Sequence, residues 1–364
     1  MPKVIVLSQV ALPSSKIGSW PTLYANYLKR NNNVDYIICP FTEDKFQNID
    51  YRWVKSSFAE KIKNKIYNRR FGAYCNMLTT IIEPHEKYII QVIDNFKIVN
   101  EIKEELDKNN LTSQCNIQFF YHGFAPFLSN EKSIAFFESI QEMVVLTNAS
   151  YKEHLKYYNA LPCKFSVLHN GIDTKIFYKI TDFEKKDLKS KYKCLDKEIF
   201  IWCSQDRPKK GLDFILNVWK KIYNKNKNVE LFVIGANRDF KMEGVRFLGK
   251  IPNSEIASYY QMADVYLFPS LWQEGFGLTL IEALHSGCYC IASKIGGIAE
   301  VLQNGKLGRL IENPHFVLEW EIAINEYLDG NFELPQLADN LYSMESWNEG
   351  MNRIINDAKY RFNS

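Results

Sequence analysis

The sequence predicts an α/β protein made of two Rossmann-like, doubly wound parallel-sheet domains. Three observations predict it. At 364 residues the chain is longer than one typical domain. Short, unbroken apolar runs alternate with helix-length segments through its first half. After a charged stretch from Asp182 to Lys197 the same alternation starts again. Unbroken apolar runs mark strands covered on both faces, as parallel sheets require. An apolar content of 46% is normal for a core of that size.

The first series opens with Val4-Ile5-Val6-Leu7 as a strand. A helix follows over Pro21 to Arg30, with Leu23, Tyr24, Tyr27 and Leu28 on one face. Val34 to Pro40, Tyr88 to Val92, Ile117 to Tyr121 and Met143 to Thr147 are the next strands. The second series runs through Ile199 to Cys203, Val229 to Gly235, Val245 to Gly249, Val265 to Pro269 and Tyr289 to Ser293. The expected domains are 1–175 together with a C-terminal helix over 346–364, and 176–345, facing a cleft. Ligands of such sheets bind outside the carboxyl ends of the strands, so the loops there are where motifs should fall.

Composition removes several function classes. A formal net charge of +3 gives no bulk electrostatic case for nucleic acid. No run approaches the roughly 18–20 apolar residues that span a bilayer, and the start of the chain reads as a strand instead of a targeting peptide. Eight scattered cysteines without a C-x-x-C pair read as reduced, mostly buried thiols of a cytoplasmic protein. Cys288 and Cys290 lie in a strand-like stretch and are expected to pack in the core.

The most informative run is Gln273-Glu274-Gly275-Phe276-Gly277-Leu278-Thr279-Leu280-Ile281-Glu282-Ala283-Leu284. Leu278, Ile281 and Leu284 recur at three-residue spacing and predict a helix from Leu278 to about Ser286, stopped by Gly287. Glycines just before a helix leave its first N–H groups open to an anion, above all a phosphate. Glu282, one turn inside, can accept hydrogen bonds from hydroxyls. Phosphate donors beside hydroxyl acceptors describe a nucleotide-sugar pocket. The alternative is an ordinary surface loop and helix with two solvated acids.

This run resembles the E-x7-E signature of retaining GT-B glycosyltransferases of family 4. The resemblance implies that Glu274 faces the sugar and Glu282 holds the ribose, with Gly275, Phe276, Gly277, Leu278 and Thr279 lining the donor phosphates. Further segments resemble the same family in the same order. Asn170-Gly171-Ile172-Asp173 through Phe177 would end the first domain. Ser204-Gln205-Asp206-Arg207-Pro208-Lys209-Lys210-Gly211 stands where the family clamps the pyrophosphate with an Arg and a Lys. Lys210 fits that place. The usual Arg position holds Gln205, so Arg207 takes the role only through a shortened loop. Lys250 and Ile251, within Phe247-Leu248-Gly249-Lys250-Ile251-Pro252, would read the base edge with their backbones. Gly296-Gly297-Ile298-Ala299-Glu300 matches a Gly-Gly-x-x-Glu turn that could serve packing alone. His122, at the end of a strand, would lie near the transferred sugar, although a lone histidine is more often structural. Pro13 to Trp20 stands for the first Gly-rich loop, of which only Gly18 remains. Ser346-Trp347 would begin a helix crossing back to the first domain.

What the resemblance implies is a retaining, metal-independent enzyme. It would move a sugar from a nucleoside-diphosphate sugar, a UDP-sugar above all, to a hydroxyl of a glycan or lipid-linked acceptor in bacterial surface polysaccharide synthesis. The chain contains no D-x-D, which argues against a divalent ion on the diphosphate. No resident cofactor or metal is expected, the nucleotide sugar being a co-substrate. Residues 52–70 carry Arg52, Lys55, Lys61, Lys63, Lys65, Arg69 and Arg70 around Phe58, Ile62 and Ile66. They read either as a helix packed on the sheet or as a basic amphipathic helix in peripheral contact with an anionic membrane. The rival functions are an epimerase of the same fold and an inactive partner subunit, the latter on the strength of the departures at Gln205 and Gly18.

Overall fold

The computed structural model describes residues 1–14, 19–30, 33–54, 70–126, 130–158 and 161–363. The chain divides into two compact units, Met1–His169 with Met344–Ser364, and Asn170–Ser343. The Asn170 to Thr174 turn, read from the sequence as the end of the first domain, lies in the second unit. The Ile172 N–H donates to the Tyr342 carbonyl at 2.9 Å, which ties that turn to the segment returning from the second sheet. Among the described residues no helix is long and apolar enough to cross a membrane. The basic stretch lies outside the described residues over 55–69.

The first unit holds strands β1 (Lys3–Leu7), β2 (Tyr36–Cys39), β3 (Asp50–Trp53), β4 (Tyr88–Ile93), β5 (Cys115–Tyr121), β6 (Glu142–Val145) and β7 (Lys164–Val167), in the order β3-β2-β1-β4-β5-β6-β7. Every pairing is parallel. The second unit holds β8 (Glu198–Cys203), β9 (Val229–Ile234), β10 (Val245–Gly249), β11 (Val265–Phe268), β12 (Tyr289–Ser293) and β13 (Arg309–Ile311), in the order β10-β9-β8-β11-β12-β13. Its pairings are parallel too. Strand order therefore reverses beside β1 in one sheet and beside β8 in the other, which creates a switch-point crevice between β1 and β4 and another between β8 and β11. The sequence reading missed β3, β7 and β13. All three are edge strands of three or four residues with exposed or charged positions, such as Arg52 and Arg309, so they lack the apolar run that betrays a central strand.

The core of each unit is rich in aromatic side chains. In the first, the C-terminal helix Met344–Asn363 buries Trp347, Met351, Ile354, Ile355 and Ala358. Trp347 meets Tyr24 and Tyr27 edge-on, with ring centroids 5.6 and 5.8 Å apart. Three polar residues interrupt the apolar strands in register, Gln91 beside Gln118 and Gln118 beside Glu142. Gln91 Nε2 donates to Gln118 Oε1 at 3.0 Å, and Gln118 Nε2 to Glu142 Oε2 at 2.8 Å. Arg361 Nη2, from the C-terminal helix, donates to the same Glu142 oxygen at 2.6 Å. A buried acid is tolerated because it is paired and hydrogen-bonded, and this row ties the helix to the sheet.

The charged stretch after residue 181 is a capped helix, Asp182–Lys191, with Thr181 and Glu184 forming a capping box. Lys185 and Lys189 each reach Asp264 at 2.6 Å, and the Ile199 N–H donates to Asp264 Oδ2 at 2.7 Å. The helix is thereby fixed where β8 and β11 begin. Trp202, Trp219 and Trp320 fill the interior, each indole N–H donating to a carbonyl: those of Lys210 at 3.2 Å, Gly244 at 2.9 Å and Pro314 at 3.0 Å. All eight cysteines are free, Cys288 and Cys290 lying buried in the core.

Candidate active site

The loops after β8 and β11, on either side of the second switch point, lie against each other. Gly211 adopts φ +71, and a Cβ there would stand 1.9 Å from the Pro269 carbonyl oxygen, so only glycine lets the two loops meet. The Leu271 N–H donates to the Lys209 carbonyl at 2.7 Å. Trp202 holds the next carbonyl, that of Lys210. Across this seam Lys210 Nζ sits 2.5 Å from Glu274 Oε1, their side chains 21% and 15% exposed. Ser270, almost fully buried, donates its hydroxyl to the same carboxylate oxygen at 2.6 Å. The ammonium proposed for phosphate and the carboxylate proposed for sugar are thus neighbours.

A third loop backs Glu274. Gly297 N–H donates to the Glu274 carbonyl at 2.8 Å. Gly296, at φ +57, lies so close that a Cβ would come within 2.3 Å of the Glu274 carbonyl oxygen and 2.6 Å of its nitrogen. The glycine pair left open as packing therefore sets the Glu274 backbone. Gly296→Ala combines a left-handed backbone with this clash and is expected to lower stability by about 2–4 kcal/mol. Thermal unfolding of that variant checks it; an unchanged midpoint would mean that the turn relaxes freely.

After Gly277 the helix Leu278–His285 begins. The Gly277 carbonyl accepts from the Leu280 and Ile281 amides at 3.0 and 3.3 Å. Among the described residues no backbone acceptor takes the Leu278 or Thr279 amide. The Thr279 hydroxyl is 2.8 Å from the Tyr266 hydroxyl, which also donates toward the Cys203 carbonyl at 3.1 Å. Phe276 turns inward, 2% exposed, edge-on to Tyr342 at 5.2 Å; it anchors the loop, so its backbone is what a ligand could meet. Glu282 stands beside Cys203, Tyr260 and Tyr266, groups whose titration its charge opposes. Burial pushes its carboxyl up to about 7. It makes no hydrogen bond or ion pair that offsets this among the described residues.

Other expected residues fall at the margins. Arg207 is exposed and forms no ion pair among the described residues, while its neighbour Asp206 is gripped by Arg238, which also reaches Asp213 at 2.9 Å. Lys250 and Ile251 follow β10, the outer strand of the sheet. Gly18 lies outside the described residues. A cavity of about 420 Å³, lined by Lys179, His285, Cys288, Pro335 and Asp339 among others, sits at the far end of the Leu278–His285 helix from Glu274 and is separate from this site.

In the first unit His122 follows β5 and is gripped by Asp94, which follows β4. Asp94 Oδ1 accepts the His122 backbone N–H at 2.8 Å, and Oδ2 lies 3.0 Å from Nδ1. With Nδ1–H directed at the carboxylate, Nε2 is left for another partner. Asp94, at φ +55, also lines a pocket of about 270 Å³ with Ser8, Gln9, Trp20, Ile93 and Asn95, at the ends of β1 and β4. Sequence reasoning missed Asp94. Its only signal was an acid directly after a buried strand.

The sequence profile described as Glycosyl transferases group 1 matches residues 183–343. The phosphatidyl-myo-inositol mannosyltransferase of Mycobacterium tuberculosis is 27% identical over 150 residues, 39% of this chain and 38% of that protein. The N-acetyl-alpha-D-glucosaminyl L-malate synthase of Bacillus anthracis is 31% identical over 157 residues, 40% of this chain and 39% of that one. The chain thus matches well under half the length of these curated relatives. Among solved structures, sucrose-phosphate synthase from Thermosynechococcus elongatus superposes with a TM-score of 0.74 at 14% identity, over 99% of this chain and 100% of that one. Anabaena HepE in complex with UDP and glucose gives 0.71 at 15% identity, over 98% and 100%. Identities that low speak for the fold alone. The profile match falls within the second unit, and the likeness to solved structures along the chain shows the GT-B fold.

Proposed function

We propose that the protein is a retaining, metal-independent glycosyltransferase that moves a sugar from a UDP-sugar to a hydroxyl of a glycan or lipid-linked acceptor, in surface polysaccharide synthesis. One observation carries the reading. Lys210 and Glu274 meet at the β8/β11 switch point, directly before a helix start with open amides, one turn from the half-buried Glu282, whose carboxylate has no partner among the described residues. The ammonium and the Leu278 and Thr279 amides suit a diphosphate. Glu282 suits the ribose hydroxyls, whose hydrogen bonds would restore its charge. Glu274 suits a sugar hydroxyl through Oε2, since Oε1 is shared by Lys210 and Ser270. Asp94 and His122, beside the β1/β4 pocket, are assigned to the acceptor.

In the reaction the bond from the anomeric carbon to the diphosphate oxygen breaks. The acceptor oxygen bonds to that carbon on the same face, and its proton passes to the departing phosphate. Fixed donors aimed at the developing charge lower the barrier. The mannosyltransferase and the glucosaminyl malate synthase among the relatives support sugar transfer, and the UDP and glucose held by HepE support the choice of base.

Thermal unfolding with UDP, GDP, ADP and CMP, each with and without EDTA, tests the reading. UDP at about a hundredfold its dissociation constant is expected to add roughly 2.7 kcal/mol, unchanged by EDTA. Stabilisation by GDP or ADP alone would reassign the base, sensitivity to EDTA would overturn metal independence, and no response to any of them would remove the donor site.

A further inference from the structure

Trp272, two residues before Glu274, is 66% exposed. Of the seven tryptophans, Trp202, Trp219, Trp320 and Trp347 are buried, and Trp20 and Trp53 are half-buried. Among the described residues the Trp272 indole has no ring, cation or hydrogen-bond partner. Single exposed apolar residues are ordinary, but an indole is the largest apolar side chain and is seldom left so open.

Its support is rigid. Leu271, the residue before it, is bonded to the Lys209 carbonyl at 2.7 Å. The buried Ser270 hydroxyl donates to Glu274 Oε1 at 2.6 Å and lies 3.3 Å from the Lys209 carbonyl and 3.5 Å from that of Trp272. The indole is therefore presented to solvent from a backbone held by these bonds, two residues before Glu274 in the same loop. A pyranose ring offers the matching surface. One of its faces carries C–H groups that suit the electron-rich face of an aromatic ring, and its rim carries hydroxyls that suit Glu274 and Lys210. A lipid surface would match the indole but offers no partner for the charges of the loop that carries it, Glu274 and its ion-pair partner Lys210.

We infer that Trp272 is a stacking platform for the acceptor's sugar ring. This rests on the reading of Glu274 as the residue facing the donor sugar. With the donor sugar assigned to the mostly covered Glu274, the exposed indole is left for the other ring, that of the acceptor.

The test uses methyl glycosides of glucose, galactose, mannose and N-acetylglucosamine, titrated by saturation-transfer NMR with UDP present. Acrylamide quenching of tryptophan fluorescence is followed in parallel. At least one glycoside is expected to bind and to shield an indole from quenching in the parent but not in Trp272→Ala, since Trp20 and Trp53 are half-buried and quench in both. Trp272→Ala is expected to weaken that glycoside by roughly two- to tenfold and Trp272→Phe much less, with the UDP-induced thermal shift intact in both. The inference fails if no glycoside binds the parent protein while UDP does, or if Trp272→Ala binds as well as the parent. It also fails if UDP alone shields the indole, or if phosphatidylglycerol vesicles shield it and the glycosides do not. If UDP does not bind, the proposed function falls, and the same glycoside titration without nucleotide decides the role of Trp272 alone.

Discussion

Glu282→Gln is expected to stabilise the ligand-free protein at pH 8 by up to about 3 kcal/mol and, in the same variant, to weaken UDP binding. The carboxyl titrates near its ordinary 4.5 in the unfolded chain and at about 7 in the folded one. Below pH 4.5 it is protonated in both states and makes no difference. Between these values the unfolded chain ionises while the folded chain holds its proton. Stability therefore falls as pH rises, and the loss is complete above the folded value. Glutamine, neutral throughout, removes that slope. The gap between variant and parent should open from nothing near pH 4.5 to its full size above pH 7. Binding should move the other way. Hydrogen bonds from hydroxyls to an ionised acceptor are worth roughly 1.5–3 kcal/mol, so the amide should bind UDP at least about tenfold more weakly. Unfolding curves across this pH range with and without UDP check both halves. A stabilised variant that binds UDP as tightly as the parent would leave Glu282 a half-buried acid without a ligand.

That opposition between stability and binding explains which parts of the site the sequence discloses. Glu274, Glu282 and the glycines between them are local. They share one loop and one helix, and periodicity with helix-start chemistry exposes them. Lys210 is legible for the same reason, because a Lys-Gly pair directly before a helix has its own pattern. Ser270, Gly296 and Asp94 matter through what they touch across the fold, and their neighbours in sequence give no hint of it. Gly296 reads as a turn until the Glu274 backbone is seen against it. Phe276 shows the converse. Set between two glycines it reads as part of an open loop, yet it is the loop's buried anchor. Central strands were legible as apolar runs, and so was the edge strand β10, whereas the edge strands β3, β7 and β13 were not. Gln91, Gln118 and Glu142 are polar insertions whose pairing depends on three strands lying in register.

Lys210→Ala is expected to reduce sugar transfer by about 10²–10³, the usual loss when one fixed donor to a developing charge is removed. The ion pair complicates the interpretation, because the same change strips a partner from Glu274. With side chains 21% and 15% exposed, the pair is neither a fully buried bridge nor a free surface one. The stability penalty should fall between those limits, at about 1–2 kcal/mol. Charge loss and misplacement of Glu274 can be separated. Lys210→Met with Glu274→Gln removes both charges together, so no carboxylate is left uncompensated, and Ser270 can still donate to the amide oxygen. That double variant should regain most of the parent's stability without regaining transfer, and its affinity for UDP should stay low because the phosphate has lost its cation. Lys210→Arg keeps the charge but exchanges a compact ammonium for a planar fork, and should keep UDP affinity better than it keeps the transfer rate. If Lys210→Ala still transfers within about tenfold of the parent, the pair is architectural, and the phosphate charge must be met by the helix start or by Arg207.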